Sequence, residues 1–188
     1  MKKILIKKGL QKVIFENQLI EDLEIVLEKD AKLFYILALN KGTDSEKMIR
    51  FDLRGENASM DMIGILYGKN KENFQFKTEV IHTADNTHGH INVKGIMDDE
   101  AKTDYFGMIK IPKKTNGADA YLSHHTLLLS KKARARTVPS LEIEANDLKA
   151  CHSASVGQID EMALFYMLSR GITQSVARKI LIEGFLEE

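Results

Sequence analysis

The sequence predicts an all-β body that is followed by a helical hairpin. Up to about residue 150 the apolar residues fall in short alternating runs, such as Phe74 and Phe76, which is the periodicity of strands. The polar breaks between these runs leave no amphipathic segment long enough for a crossover helix, which disfavours a doubly wound α/β sheet. After Gly157 the apolar spacing becomes helical.

The later strands are predicted to begin at a nearly constant interval of 13 to 15 residues. Their expected starts lie near Ile91, Tyr105, Ala120, Ala133 and Leu148. Such regularity is typical of stacked rungs. Because the repeat is one of spacing without a shared motif, a parallel β-helix and an antiparallel sandwich or barrel both fit it.

The C-terminal segment is predicted to contain two helices, the first ending at Arg170-Gly171 and the second capped by Thr173. We therefore divide the chain into a β core, residues 1–156, and a helical segment, residues 157–188. The second helix carries one apolar stripe, which is expected either to pack on the body or to dock another chain. The stripe consists of Val176, Ala177, Ile180, Leu181, Gly184 and Phe185.

Composition narrows the classes of function. The 188 residues are 44% hydrophobic and 29% charged, as in a soluble globular protein. The 27 basic residues balance the 27 acidic ones, so no nucleic-acid or membrane partner is expected. Cys151 is the single cysteine, and the longest apolar run, residues 33–39, is too short to span a bilayer. The N-terminus lacks the apolar region of a signal peptide, and we expect a cytoplasmic protein.

No nucleotide-hydrolysis motif is present. The segment from Gly64 to Lys69 partly resembles a phosphate loop. A phosphate loop has four residues between its glycines and Ser or Thr after the lysine, whereas here three residues separate the glycines and Asn70 follows the lysine. No nucleophile elbow or zinc-protease helix occurs either. We therefore expect no nucleotide hydrolysis by the chain itself and no catalytic residues for it.

The histidines suggest an alternative function, that of a metal-dependent enzyme. His82, His88 and His90 form the densest group, and on an extended strand His88 and His90 project to the same face, as a metal pair can. A metal-dependent cupin-like or β-helix enzyme would use this trio, although the glycine and glutamate of a cupin motif are absent. Histidines on surface loops are the competing interpretation.

A second group of soft ligands is His124 with Cys151 and His152. Thiolate and imidazole suit iron or zinc. Neighbouring side chains on a strand point to opposite faces, so Cys151 and His152 compete for any one site unless the chain bends. A buried cysteine beside a hydrogen-bonded histidine is the alternative.

Motifs spread over residues 82–188 resemble a known family. They include His82-Thr83-Ala84, Ala118-Asp119-Ala120-Tyr121, Leu127-Leu128-Leu129-Ser130-Lys131-Lys132-Ala133-Arg134, Val156-Gly157-Gln158-Ile159-Asp160-Glu161 and Ser169-Arg170-Gly171-Ile172. Together they resemble the core of the SufB/SufD family of iron–sulfur cluster assembly proteins.

The resemblance implies a right-handed parallel β-helix with a helical C-terminal segment. It implies a non-enzymatic scaffold subunit that pairs as a homodimer or as a heterodimer with a SufB-like protein. Its cargo would be a transient iron–sulfur cluster, with no other cofactor. A SufC-like ABC ATPase would grip the C-terminal helices and supply the nucleotide hydrolysis. The expected partner-binding residues are Leu164, Phe165, Tyr166, Arg170, Ile172, Ile180 and Phe185.

The resemblance also implies where a metal or cluster would bind. SufD-like members read Cys-Ser-His-Gly-Ala where this chain has residues 150–154, Ala-Cys-His-Ser-Ala, so His152 matches a functional histidine and Cys151 is displaced by one position. The SufB branch has a cysteine on the strand that holds His124 and a glutamate at Ser153, so the chain is nearer SufD. His152, Cys151 and His124 are the expected ligands. A degenerate interaction module that has lost the cluster is the remaining alternative.

Overall fold

Alternating apolar and polar residues form twelve strands, and two helices follow them. The computed structural model describes residues 1–187. The elements are β1 (Lys2–Ile6), β2 (Gln11–Glu16), β3 (Leu23–Leu27), β4 (Lys32–Leu39), β5 (Lys47–Leu53), β6 (Ser59–Gly68), β7 (Asn73–His82), β8 (His88–Met97), β9 (Lys102–Ile111), β10 (Ala118–Leu128), β11 (Arg134–Ile143), β12 (Leu148–Gln158), α1 (Glu161–Ser169) and α2 (Gln174–Glu187).

The strands wind into a parallel β-solenoid of about five turns. The odd-numbered strands form one six-stranded sheet, the odd sheet, in the order β1-β3-β5-β7-β9-β11. The even-numbered strands form the other, the even sheet, in the order β12-β10-β8-β6-β4-β2. All strand pairs are parallel, which confirms the predicted β-helix and excludes the antiparallel sandwich or barrel. Each predicted 13–15-residue step is therefore half a coil.

The core lies between the two sheets. Along each central strand alternate residues are buried, as the pleat requires. Large side chains fill the interior, and Tyr35 meets Phe51 edge to face with ring centroids 5.6 Å apart. Asn57 and Asn86 adopt positive φ at the tight corners, a conformation that asparagine tolerates better than most residues.

The helical hairpin begins directly after the last coil. The Asp160 carboxylate accepts the backbone N–H groups of Met162 and Ala163, which caps α1, and Gly171 turns the chain at φ +82°. The Thr173 carbonyl accepts the backbone N–H of Ala177, which is the hydrogen bond of the first turn of α2. No helix among residues 1–187 is long and apolar enough to cross a membrane.

Helix α2 packs on the outer face of the even sheet. Ala177 is fully buried, and the Lys94 ammonium on β8 donates to the backbone carbonyls of Phe185 at 2.8 Å and Leu186 at 3.2 Å. Val176 and Ile180 remain 48% and 42% exposed. The predicted stripe therefore divides between a packed side and an exposed side.

Candidate functional site

The last coil leaves an open edge. Among residues 1–187, strand β12 ends the even sheet and pairs with β10 alone, and most of its side chains are exposed. In register, His152 lies beside Leu122 and Cys151 beside Tyr121. Leu122 is fully buried between the sheets, whereas Tyr121 lies on the outer face. His152 is therefore on the inner side of the open end, and Cys151 is on the outer side.

His124 lies in the interior, one strand below this edge. It is fully buried, and its ring centroid is 4.7 Å from that of Tyr105. Burial, and secondarily the neighbouring His125, lowers the pKa of His124 to about 4. Its Nδ1 has no hydrogen-bond partner. His124 and His152 lie on the same side of adjacent strands, two register positions apart. The structure thus groups these two histidines and separates Cys151 from both.

A hydrogen-bonded network ties β12 to β10 on the outer face. Tyr121 Oη lies 3.2 Å from Ser153 Oγ. His125 contacts two hydroxyls, Ser155 Oγ at 2.7 Å from Nδ1 and Ser153 Oγ at 3.3 Å from Nε2. Ser153, which stands where the SufB branch has a glutamate, is therefore part of a network that holds the edge strand in register.

The predicted histidine trio is divided between the two faces of the solenoid wall. His82 is fully buried on β7, and its Nδ1 lies 2.8 Å from the Thr87 hydroxyl. Burial, and secondarily His88, lowers its pKa to about 4. His88 and His90 lie together on the outer face of β8, with ring centroids 3.8 Å apart. The two outer histidines share a face as predicted, but His82 does not join them.

Two aspartates complete the outer cluster instead, and sequence reasoning missed both. His88 Nε2 lies 3.1 Å from Asp61 Oδ1, and its Nδ1 lies 3.3 Å from Asp119 Oδ2. His90 Nε2 lies 3.2 Å from Asp119 Oδ1. Burial alone raises the pKa of Asp119, but hydrogen bonds from His90 and His88 hold it below its ordinary value. The partners are 27, 31 and 29 residues apart, so a search at the full coil length would have found them.

The hairpin presents an apolar surface, which we name the α1 patch: Met162, Phe165 and Tyr166, exposed by 74%, 66% and 60%. The Arg170 guanidinium lies over the Tyr166 ring at 5.2 Å. Of the predicted partner-binding residues, these aromatic residues and Arg170 are exposed together, whereas the others are at least partly covered. Ile180 is 42% exposed; Leu164, Ile172 and Phe185 are half-buried.

Comparisons with known proteins bear on the family of this chain. The family model described as the SUF system FeS cluster assembly, SufBD core domain, matches residues 12–185. SufD of Bacillus subtilis is 33% identical over 158 residues, which cover 84% of this chain and 36% of that protein. SufD of Escherichia coli is 29% identical over 180 residues, which cover 94% of this chain and 43% of that protein.

A SufBD family protein of Synechocystis is 32% identical over 136 residues, which cover 72% of this chain and 28% of that protein. The chain thus spans less than half the length of these relatives. The family model, by contrast, covers nearly all of it. The chain belongs to the SufBD family of iron–sulfur cluster assembly proteins.

Proposed function

We propose that the chain is a platform subunit in iron–sulfur cluster assembly, which docks an ABC-type ATPase through its C-terminal helices. The family and the SufD relatives support the general role. The observation that carries the docking role is the α1 patch. A nine-residue helix that exposes Met162, Phe165 and Tyr166 has apolar surface that a folded partner can cover.

The chemistry of the patch fits a protein partner. Aromatic residues and arginine are enriched at the centres of protein interfaces, and here Tyr166 and Arg170 are already stacked in the free chain. Helix α1 is capped at its N-terminus by Asp160 and packs against α2. The patch therefore lies on a helix that is held in place, and the partner would supply the ATP hydrolysis.

The docking role is tested with a purified SufC-type ATPase. Phe165→Ser should weaken binding about tenfold or more in calorimetry, because truncating a central aromatic anchor costs about 2 kcal/mol. Phe15→Ser is the matched control, since Phe15 is 61% exposed on β2 at the far end of the solenoid. Equal affinities for Phe165→Ser and the wild type would place the dock elsewhere.

We further propose that the open edge of β12 pairs with a second β-helix, either a copy of this chain or a SufB-like protein. A terminal strand presents unpaired N–H and C=O groups, which template pairing with another chain. This arrangement would bring His152 to the interface. A strict monomer in sedimentation at tens of micromolar, alone and with a SufB-like protein, would contradict it.

His152 is the residue that we propose contacts the iron–sulfur cargo. It is exposed at the open end, on the same side of the sheet as His124, while Cys151 lies on the other side. His152→Ala should reduce the iron and sulfide retained after anaerobic reconstitution, and Cys151→Ala should not. Equal retention in the wild type and both variants would exclude the ligand role and favour the interaction module without a cluster.

A further inference from the structure

The outer cluster of Asp61, His88, His90 and Asp119 has no member on the edge strand β12 or in the α1 patch. It spans three central strands of the even sheet, β6, β8 and β10. The register places His90 between Asp61 and Tyr121, and His88 beside Asp119. Tyr121 stands between His90 and Cys151, which is two strands away, or about 10 Å. Cys151 therefore lies beyond ligand distance of the cluster.

The cluster lacks one proton for its hydrogen bonds. Three contacts join a ring nitrogen to a carboxylate oxygen, two from His88 and one from His90. A neutral imidazole has one N–H, so two neutral rings can donate only twice. One contact would then bring a nitrogen lone pair against a carboxylate oxygen. Either a ring carries an extra proton or a cation occupies this position.

The charges of the cluster suit a divalent cation. Asp61 and Asp119 contribute two carboxylates beside the two imidazole rings, and one divalent ion would balance both. Neutral imidazole is the form of histidine that ligates metals, so such an ion needs no charge on the rings.

The geometry provides three converging ligands. One ligand atom each from Asp61, His88 and His90 lies within 4.8 Å of the others. Tetrahedral zinc, with bonds of about 2.0 Å, requires ligand separations of about 3.3 Å. The side chains are 49%, 31% and 34% exposed, so small rotations can close this gap and an ion can enter from solvent. Asp119 accepts from His88 Nδ1, which directs the Nε2 lone pair toward Asp61.

The backbone beneath the cluster is tightly constrained. Gly89 lies between the two histidines and faces the interior, where an added Cβ would lie 2.8 Å from Val80 Cγ1 and 2.9 Å from His82 Nε2. The even sheet therefore approaches the odd sheet closely at this point, and both flanking strands pair with β8. This rigid backbone fixes the positions of the Cα atoms of His88 and His90, from which the two imidazole rings project.

We propose that Asp61, His88 and His90 bind one divalent first-row transition-metal ion on the outer face of the even sheet, with Asp119 as the positioning residue. Two imidazoles and one carboxylate suit zinc, iron(II) and cobalt(II), and they disfavour magnesium and calcium, which take oxygen ligands. Three protein ligands leave a coordination position for water.

The test uses the full chain without an affinity tag, stripped of metal by a chelator. Zinc titrated by calorimetry should bind at one ion per chain, and millimolar magnesium should not displace it. His90→Gln should weaken binding at least tenfold, and zinc at the same concentration should raise its Tm less than it raises that of the wild type. His125→Gln is the matched control, because His125 lies on the same face of β10 but contacts only serine hydroxyls; it should bind zinc like the wild type.

Two further variants separate the roles. Asp119→Asn should keep one site, weaken it tenfold to a hundredfold and change the visible absorption of bound cobalt, because the His88 ring loses its orienting carboxylate. Cys151→Ser should leave binding unchanged. No stoichiometric zinc binding by the wild type would overturn the proposal, as would equal binding by His90→Gln or loss of binding in Cys151→Ser. Circular dichroism of each variant checks that the fold persists.

Discussion

The solvent-facing sides of the two sheets are covered by different kinds of polar side chain. The odd sheet carries a ladder of alternating charges from strand to strand. Lys3 pairs with Glu24 at 2.9 Å, and Glu79 receives both Arg50 at 2.6 Å and Lys110 at 3.2 Å. Each charge on this ladder has an opposite charge on a neighbouring coil, so the face is electrostatically self-compensated.

The even sheet carries histidines, hydroxyls and the packed helix instead. Its His–Asp cluster has more carboxylate contacts than neutral rings can satisfy, and its edge strand exposes Cys151. One face thus contributes stability through matched charges, and the other holds the groups that can bind something further. The following experiments test that division, from the largest expected effect to the smallest.

Acidification should lower the free energy of unfolding through the histidines buried between the two sheets. The pKa of both buried histidines, His82 and His124, is lowered to about 4 from an ordinary 6.5. The unfolded chain therefore binds more protons, and stability is lost as the pH falls from about 6.5 toward 4. Between pH 7 and pH 5 each of these two histidines should lower the free energy of unfolding by about 2 kcal/mol, or about 4 kcal/mol together. Denaturant unfolding at a series of pH values measures this.

The variant His82→Gln identifies the source of the acid effect. It should remove about half of the loss between pH 7 and pH 5, whatever it does to stability at pH 7. The comparison variant His125→Gln, on the outer face, should keep nearly all of the loss, because His125 is only a secondary cause of the lowered pKa of His124. An unchanged pH dependence in His82→Gln would show that burial of this ring is not responsible.

Removing the central carboxylate should break the ladder of the odd sheet. Glu79 is 7% exposed and serves two cations, and its hydrogen bond raises the pKa of Lys110. Glu79→Ala should lower the free energy of unfolding by about 2 kcal/mol, because two partly covered cations lose their partner. Glu142→Ala is the control: it also contacts Lys110, at 3.5 Å, but is 57% exposed, and should cost less than about 0.5 kcal/mol. Equal losses would contradict a ladder centred on Glu79.

The sequence was sufficient to predict the strands but not the cluster. Alternation and interval place strands near Ile91 and Tyr105, and β8 and β9 begin at His88 and Lys102. Local spacing also puts His88 and His90 on one face. Local spacing could not predict the contact of Asp61 with His88, because that contact depends on the length of a coil and on the register between strands. Both are set by the backbone geometry at corners such as Asn57. The exposure of the α1 patch depends likewise on which side of the hairpin meets the sheet.

Removing the hydrogen bonds from Lys94 to the end of α2 should destabilise this helix without affecting the rest of the even sheet. Lys94 is 9% exposed and satisfies two carbonyls at the end of α2, which have no partner within the helix. Lys94→Met keeps most of the apolar stem and should cost about 1 kcal/mol, with hydrogen exchange about fivefold faster in α2 alone. Lys77→Met on the odd sheet, which loses a 2.7 Å pair with Glu46, should leave exchange in α2 unchanged. Faster exchange throughout the solenoid in Lys94→Met would contradict a local anchor.

The smallest effect is expected where the odd face reaches the open end. Arg136 on β11 contacts Asp104 at 3.1 Å, but the two side chains are 71% and 44% exposed and no further coil covers them among the described residues. Water screens this pair, so Arg136→Ala should change the free energy of unfolding by less than about 0.5 kcal/mol, and 1 M salt should remove that difference. Denaturant midpoints of the variant and the wild type at low and high salt provide the measurement. A loss as large as that of Glu79→Ala would mean that ion pairing alone stabilises the ladder. A small loss would show that the ladder depends on the coverage that neighbouring coils give its central carboxylate.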